Sequence, residues 1–404
     1  MEDESAEVAG VQDVGELDGP MAYRNWQAMK RLGGEPSSGS EFLLYGDAVF
    51  VGDHWTFGPY ETVNTLAGPT SDVVEHQPLD LGSISPPVAL RTWIYLGHDE
   101  WIPSTTSTNV ASFTGTDVAD EVAVLLSLLT ARRLRAGGAV RTFRSMHEPG
   151  QAQADASTQM PQMPPRHQRR LPRQVEPTSI TPQHVELLRS YTDLPAPTAV
   201  ALARAARAYR DAIWIGESQP ELAWLLLVSA VECAANAEKR IAEVEPLARL
   251  RTSRSSLAKK IVKLGLAPEQ ERQLAKELAP LFKATEKFTG FLVRFSPTVG
   301  PTPRPDWGAF PWAHEDAKRQ ALDLVYEHRS NALHEALPIP YPMLVRPSRG
   351  EEVSSIVGAL GAVWLPERNP MLLHTFEYMV QNALVNWWRS LVFPERATVG
   401  GEVA

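Results

Sequence analysis

The chain has 404 residues, 43% of them hydrophobic and 22% charged, which is ordinary globular usage and excludes a disordered or collagen-like protein. Its one cysteine, Cys233, excludes an intrachain disulfide framework and a cysteine-rich zinc module. A formal charge of -9 argues against a general polyanion binder while leaving room for a local basic patch.

The acidic start, Glu2-Asp3-Glu4, lacks the basic-then-apolar order of a secretory signal. The best apolar run, residues 223–230, is far too short to span a bilayer, so a cytoplasmic protein without membrane contact is expected. Residues 1–40 read as an acidic, partly ordered arm with one helical candidate over Met21–Leu32. Residues 41–145 read as an N-terminal α+β domain. Runs rich in β-branched and aromatic residues at 42–45, 48–51 and 88–95 are punctuated by Gly46-Asp47, Gly52-Asp53 and Gly97-His98, which predicts a small sheet. Asp117 and Asp120 resemble a helix cap, and Val122, Leu125, Leu126 and Leu129 recur at helical spacing. That pattern places Arg132, Arg133 and Arg135 in the last turn and Gly137-Gly138 at the stop.

Six prolines between 149 and 177 deny both helix and central strand, so 146–181 reads as an interdomain linker. From 182 to 404 the pattern is all helical, with segments at 182–191, 197–216, 220–244, 253–264, 268–295, 313–336 and 370–391. No fixed-period repeat occurs, and a bundle of five or six long helices is the natural architecture. Trp387-Trp388 reads as core rather than a base-stacking platform.

Phosphate-binding glycine loops, dinucleotide fingerprints, nucleophile elbows and kinase signatures are all missing from the sequence. His98-Asp99-Glu100 reads as a solvated turn, since adjacent residues rarely converge on one ion. The remaining constellation is Tyr326-Glu327-His328-Arg329-Ser330-Asn331-Ala332-Leu333-His334, at the end of a late helix and ahead of Pro338 and Pro340. Upstream, an apolar helix over 222–231 is followed by Glu232.

Arginine and histidine separated by four residues, after an early buried helix that carries an acid, resemble the HEPN superfamily. The closest likeness is to the ApeA-like HEPN domain proteins of bacteria, over roughly residues 182–391. That resemblance implies an all-α C-terminal bundle and metal-independent RNA endonuclease activity in phage defence or a toxin-like response. It also implies a homodimer with RNA as substrate, no cofactor and no metal. The N-terminal domain would sense a trigger, a protein or a phage product, or restrain the nuclease.

The chemistry has its own rationale. Histidine titrates near neutrality, so His334 can take or return the 2′-OH proton. The planar, permanently charged Arg329 suits the charge that develops on phosphorus oxygens. Ser330 and Asn331 can position phosphate, and Glu232 is the expected partner of Arg329 behind them. Five residues on an ideal helix span about 140° of rotation, so both side chains meet only if the helix end loosens or a second subunit contributes.

Two plainer accounts stand beside this one. Arg329 pairs structurally with Glu232 or Glu327, and His334 merely caps a helix C-terminus. The alternative function is then a non-catalytic HEPN-like scaffold that binds RNA, nucleotide or a protein partner. For substrate, Arg249, Arg251, Arg254, Lys259, Lys260 and Lys263 form a run without an intervening acid, suited to tracking phosphates. The competing account is a solvated face balanced by Glu243, Glu245, Glu269 and Glu271. Arg166, Arg169, Arg170 and Arg173 form a second, weaker basic group.

Overall fold

The computed structural model describes residues 18–52, 54–64, 88–97, 108–153, 161, 169–175, 178–238, 245–253, 255–301 and 304–394. His98-Asp99-Glu100, Arg166, Arg254, Glu243 and the first seventeen residues of the acidic arm lie outside them.

Helix α1 (Met21–Leu32) buries Ala22, Tyr23, Trp26 and Ala28, so the described part of the arm is core rather than a loose tail. Pro20 caps it without a side-chain bond, and Glu121 from a distant helix supplies the missing acceptor. The Glu121 carboxylate accepts from Ala22 N (2.9 Å), Tyr23 N (3.3 Å) and the Tyr191 hydroxyl (3.0 Å).

The predicted strands form, and they belong to a larger sheet than the sequence pattern shows. Strands β1 (Ser38–Gly46), β3 (His54–Phe57), β4 (Tyr60–Asn64), β5 (Val88–Ile94), β6 (Leu134–Phe143) and β7 (Gln151–Ala152) make a six-stranded antiparallel sheet in the order β3-β4-β5-β1-β6-β7. Short β2 (Ala48–Phe50) leaves that sheet and pairs in parallel with β8 (Thr178–Ile180), inside the stretch read as linker.

Asp117 does cap helix α2 (Val118–Thr130), accepting from Asp120 N at 2.7 Å. The C-terminal reading needs correction. The helix ends at Ala131, held left-handed at φ 51°, and the arginines lie beyond it. Arg133 is fully buried against Asp47. Gly137-Gly138 sits within β6, where Phe42 faces Ala139 and Leu44 faces Ala136. One residue of β1 thus opposes two of β6, and the glycine pair forms a bulge rather than a helix stop.

Five long helices follow: α3 (Ala196–Ile215), α4 (Pro220–Ala237), α7 (Pro268–Phe295), α8 (Glu315–His334) and α9 (Leu373–Val392). Short α6 (Ser255–Lys263) is the helix expected over 253–264, and short α5 (Pro246–Ser253) precedes it as a helix that the sequence pattern does not place. Trp224 of α4 stacks on Phe376 of α9 with ring centroids 4.6 Å apart, and Trp387 and Trp388 are completely buried as core. One hydrophobic cluster runs from Trp26 and Leu90 through α2 to Trp388, while Leu250, Ala258, Ile261 and Ala275 make a small separate one. The described part of the proline-rich stretch is built into this junction. Leu171 is buried, and Leu171 N donates to Glu217 at 2.7 Å. The architecture is mixed α+β, and among the described residues no helix is long and apolar enough to cross a membrane.

Burial holds the Glu121 carboxyl up at about 7, above its ordinary 4.5, despite the donors around it. The folded chain then keeps a proton that the unfolded chain releases, so this group costs stability as pH rises from 4.5 to about 7. Relative to Glu121→Gln, the wild type should lose on the order of 3 kcal/mol across that window. Urea melts at pH 4.5 and 7.5 check it, and parallel pH profiles for the two proteins would overturn it. Difference profiles are needed because burial pulls His374 down to about 4, which works in the opposite direction.

Candidate functional site

Helix α8 is set against the bundle by Leu322 and Val325, both buried, and by Tyr326, whose ring lies 5.3 Å from Phe288 of α7. Thr289 of α7 adds a hydrogen bond to Asp323 at 3.0 Å. This docking turns the next residues of α8 toward α4. Arg329 donates through Nη2 to Glu232 Oε2 at 2.9 Å, and the Tyr326 hydroxyl donates to Glu232 Oε1 at 2.8 Å. The guanidinium also lies over the Tyr326 ring, 5.5 Å from its centroid. Burial and the adjacent Glu232 push the Tyr326 hydroxyl up to about 12, so it stays protonated and remains a donor.

The pairing of Glu232 with Arg329 is therefore present, with side chains 22% and 21% exposed. Arg329 Nε is buried with no acceptor among the described residues. Tyr326, the third member of this cluster, belongs to the motif segment, yet the Arg–His spacing assigns it no role. Its signal is its place three residues before Arg329, one helical turn away on the same face.

His334 is exposed at the last position of α8. The helix does not loosen before it. Glu335 N and Leu337 N both donate to Asn331 O, at 2.9 and 3.3 Å, and left-handed Ala336 at φ 53° closes the end. Regular geometry leaves Arg329 and His334 about 140° apart around the axis. Ser330 and Asn331 are half-buried between them, with no side-chain hydrogen bond among the described residues. His328, beside Arg329 in the motif, is half-buried. Its Nε2 lies 2.9 Å from Arg368 O, burial lowers its pKa, and Arg368 pairs with Glu327 at 2.6 Å.

A cleft of about 920 Å³ opens elsewhere, between residues 183–193 and the C-terminal ends of α7 and α9. Arg329 and His334 do not line it.

The basic run divides. Arg251 is tied to Glu271 at 3.4 Å, while the Arg249 side chain and all of Arg254 lie outside the described residues. Lys259, Lys260 and Lys263 are exposed on α6 and make no ion pair among the described residues. Lys259 and Lys263 stand one turn apart and Lys260 flanks them, so the three share a face. Arg170 and Arg173 are structural: Arg170 Nε donates to Leu344 O at 2.9 Å, and Arg173 holds Glu377 at 2.6 Å. That removes them as a phosphate track.

Comparison with family models, curated proteins and solved structures finds no match to this chain.

If the α6 lysines meet phosphates, Lys259→Glu/Lys260→Glu should weaken RNA binding strongly at low salt and little at high salt. The slope of log affinity against log salt should flatten by roughly one unit for each phosphate no longer neutralised. Both side chains are exposed, so the melting temperature should stay put. Binding isotherms at two salt concentrations decide the matter, and superimposable curves for the two proteins would remove α6 from the substrate path.

Proposed function

We propose that this chain is a metal-independent RNA endonuclease of the HEPN type, its site completed by a second copy. The observation that carries this reading is the state of α8. It presents His334 to solvent on a capped, regular last turn while Glu232 and Tyr326 fix the Arg329 guanidinium one and a half turns earlier. Within one chain the two groups face different directions, so a phosphate held by Arg329 is served by the histidine of a symmetry-related helix. His334 takes the 2′-OH proton, the oxygen attacks phosphorus, and the imidazolium returns the proton to the leaving 5′-oxygen. Arg329 neutralises the charge on the non-bridging oxygens. Ser330 and Asn331, without side-chain hydrogen bonds among the described residues, orient the phosphate. RNA reaches the site along the α6 lysines, and the N-terminal sheet region senses a trigger or restrains cleavage. A role in phage defence or a toxin-like response rests on the likeness of the motif alone.

The Arg329–Glu232 pair favours a second reading, a non-catalytic HEPN-like scaffold for RNA, nucleotide or a protein partner. In that account the arginine is committed to holding α8 on α4, and His334 serves only to cap the helix.

His334→Ala separates them. Its side chain is exposed and makes no hydrogen bond among the described residues, so the fold should be untouched while RNA cleavage falls by about 10²–10⁴-fold. Cleavage should persist in excess chelator. Gel assays on single-stranded RNA with matched melting curves provide the check. Cleavage that survives loss of both Arg329 and His334, or that needs an added divalent ion, would leave the scaffold reading in place.

A further inference from the structure

Past α8, between the helical segments expected over 313–336 and 370–391, the region read as all helical instead contains a hairpin, β9 (Val357–Ala359) and β10 (Ala362–Trp364). Among the described residues the two strands pair only with each other. A lone two-stranded hairpin is marginal in water, and an open strand edge is a template for another chain. Its turn residues, Leu360 at φ 52° and Gly361 at φ 76°, are both left-handed, as a tight two-residue hairpin requires. Asparagine or glycine suits the first position. A leucine there is conformationally unfavourable, and this one is 83% exposed at the tip. Val363, at the centre of β10, is 71% exposed, and Ile356 and Leu365 are exposed beside it.

The segment that follows the hairpin is anchored to the helix that bears the motif: Arg368, four residues past β10, grips Glu327 and His328 of α8. On the hairpin itself the Trp364 ring lies 6.4 Å from that of Tyr341, in the short helix after α8. Leu333 and Leu337, on either side of His334 in sequence, are exposed as well. Exposed apolar side chains thus occur both on the hairpin and at the end of the helix to which the following segment is tied.

We propose that β10 pairs antiparallel with β10 of a second copy across a two-fold axis, making the hairpin the clasp of a homodimer. This rests on the reading that two copies complete the Arg329–His334 site. Three features select a second copy as the occupant. The chain carries a net charge of -9, so two copies repel over most of their surfaces, yet residues 353–366 contain no charged side chain. An antiparallel edge strand is complementary to itself, each open N–H and C=O meeting its symmetry equivalent. Finally, the segment that leaves the hairpin is held on α8 through Arg368, so closing the clasp draws two His334-bearing helices toward one axis.

The full-length chain tests this by sedimentation over micromolar concentrations. The wild type should be a dimer. Leu360→Asn combined with Val363→Glu should raise the dimer dissociation constant by roughly a hundredfold or more. The melting temperature of the variant's monomer should not fall, because asparagine suits the left-handed turn. Val363→Cys should cross-link under mild oxidation, since facing residues of paired strands sit about 4.5–5.5 Å apart, within disulfide reach. A wild type that stays monomeric, or a double variant that dimerises as tightly as the wild type, would overturn the clasp. A monomeric double variant beside a wild type that cuts no RNA would keep the clasp and remove the nuclease. RNA cleavage lost in His334→Ala but retained by a still-dimeric double variant would do the reverse.

Discussion

A guanidinium without exposed surface has to be neutralised where it stands, and Arg133 is where the sheet and the helices are joined. Arg133 and Asp47 are both completely buried, and the arginine donates through Nε to the aspartate. Asp47 sits between β1 and β2, so this pair fixes where β2 leaves the main sheet. Arg133 Nη2 reaches Gln174 O at 3.4 Å, and the Gln174 side chain donates to Ala131 O and to Glu377. Glu377 of α9 also accepts from Tyr209 of α3 at 2.5 Å and from Arg173. One connected set of buried polar groups therefore spans the sheet edge, the end of α2, the proline-rich stretch and two long helices. Removing a single member strands the others in a low-dielectric interior, which typically costs about 3–5 kcal/mol. It is this arrangement that requires the proline-rich stretch to be threaded through the junction.

Legibility in the sequence followed the range of the interactions. Helical periodicity places α1 and α7 to the residue and the proline start of α4, which ends at Ala237 rather than running to 244, because burial of one face is written into local spacing. The strands failed more often. β3, β4 and β6 carry mixed patterns, and only their antiparallel neighbours make them strands. Arg132, Arg133 and Arg135 look like a basic last turn because the partner of Arg133 lies 86 residues away. Gly137-Gly138 has the chemistry of a stop, yet the same conformational freedom serves a bulge. The hairpin after α8 escaped because its turn uses leucine where turn rules look for asparagine or glycine.

The candidate site was legible to the same degree. The Arg329–His334 spacing and the acid at Glu232 could be read off the chain, and the structure brings Glu232 to Arg329. What periodicity does not reveal is how the helix ends. The cap at Ala336 keeps α8 regular through His334, and that regularity separates the two motif residues. The hold of Arg368 on Glu327 and His328 was equally hidden, since Arg368 lies in a segment whose pattern shows only proline and turn residues.

The ion pair at Arg329 bears on both functional readings, and its exposure decides how strongly. A fully buried pair would be closed to a competitor, because withdrawing the arginine would leave an isolated carboxylate in low dielectric. Here about a fifth of each side chain remains open to solvent. Glu232 also keeps the Tyr326 hydroxyl as a donor when the arginine turns away, so its charge is never left unsolvated. Arginine presents five donors, and Glu232 engages the Nη2 end of the fork. A phosphate approaching from solvent meets a guanidinium already desolvated on one side and oriented by its carboxylate, which lowers the ordering cost of binding. The same carboxylate weakens the positive field that the phosphate sees. Glu232 therefore exchanges affinity for orientation, which under the proposed nuclease reading suits a site that must release its product.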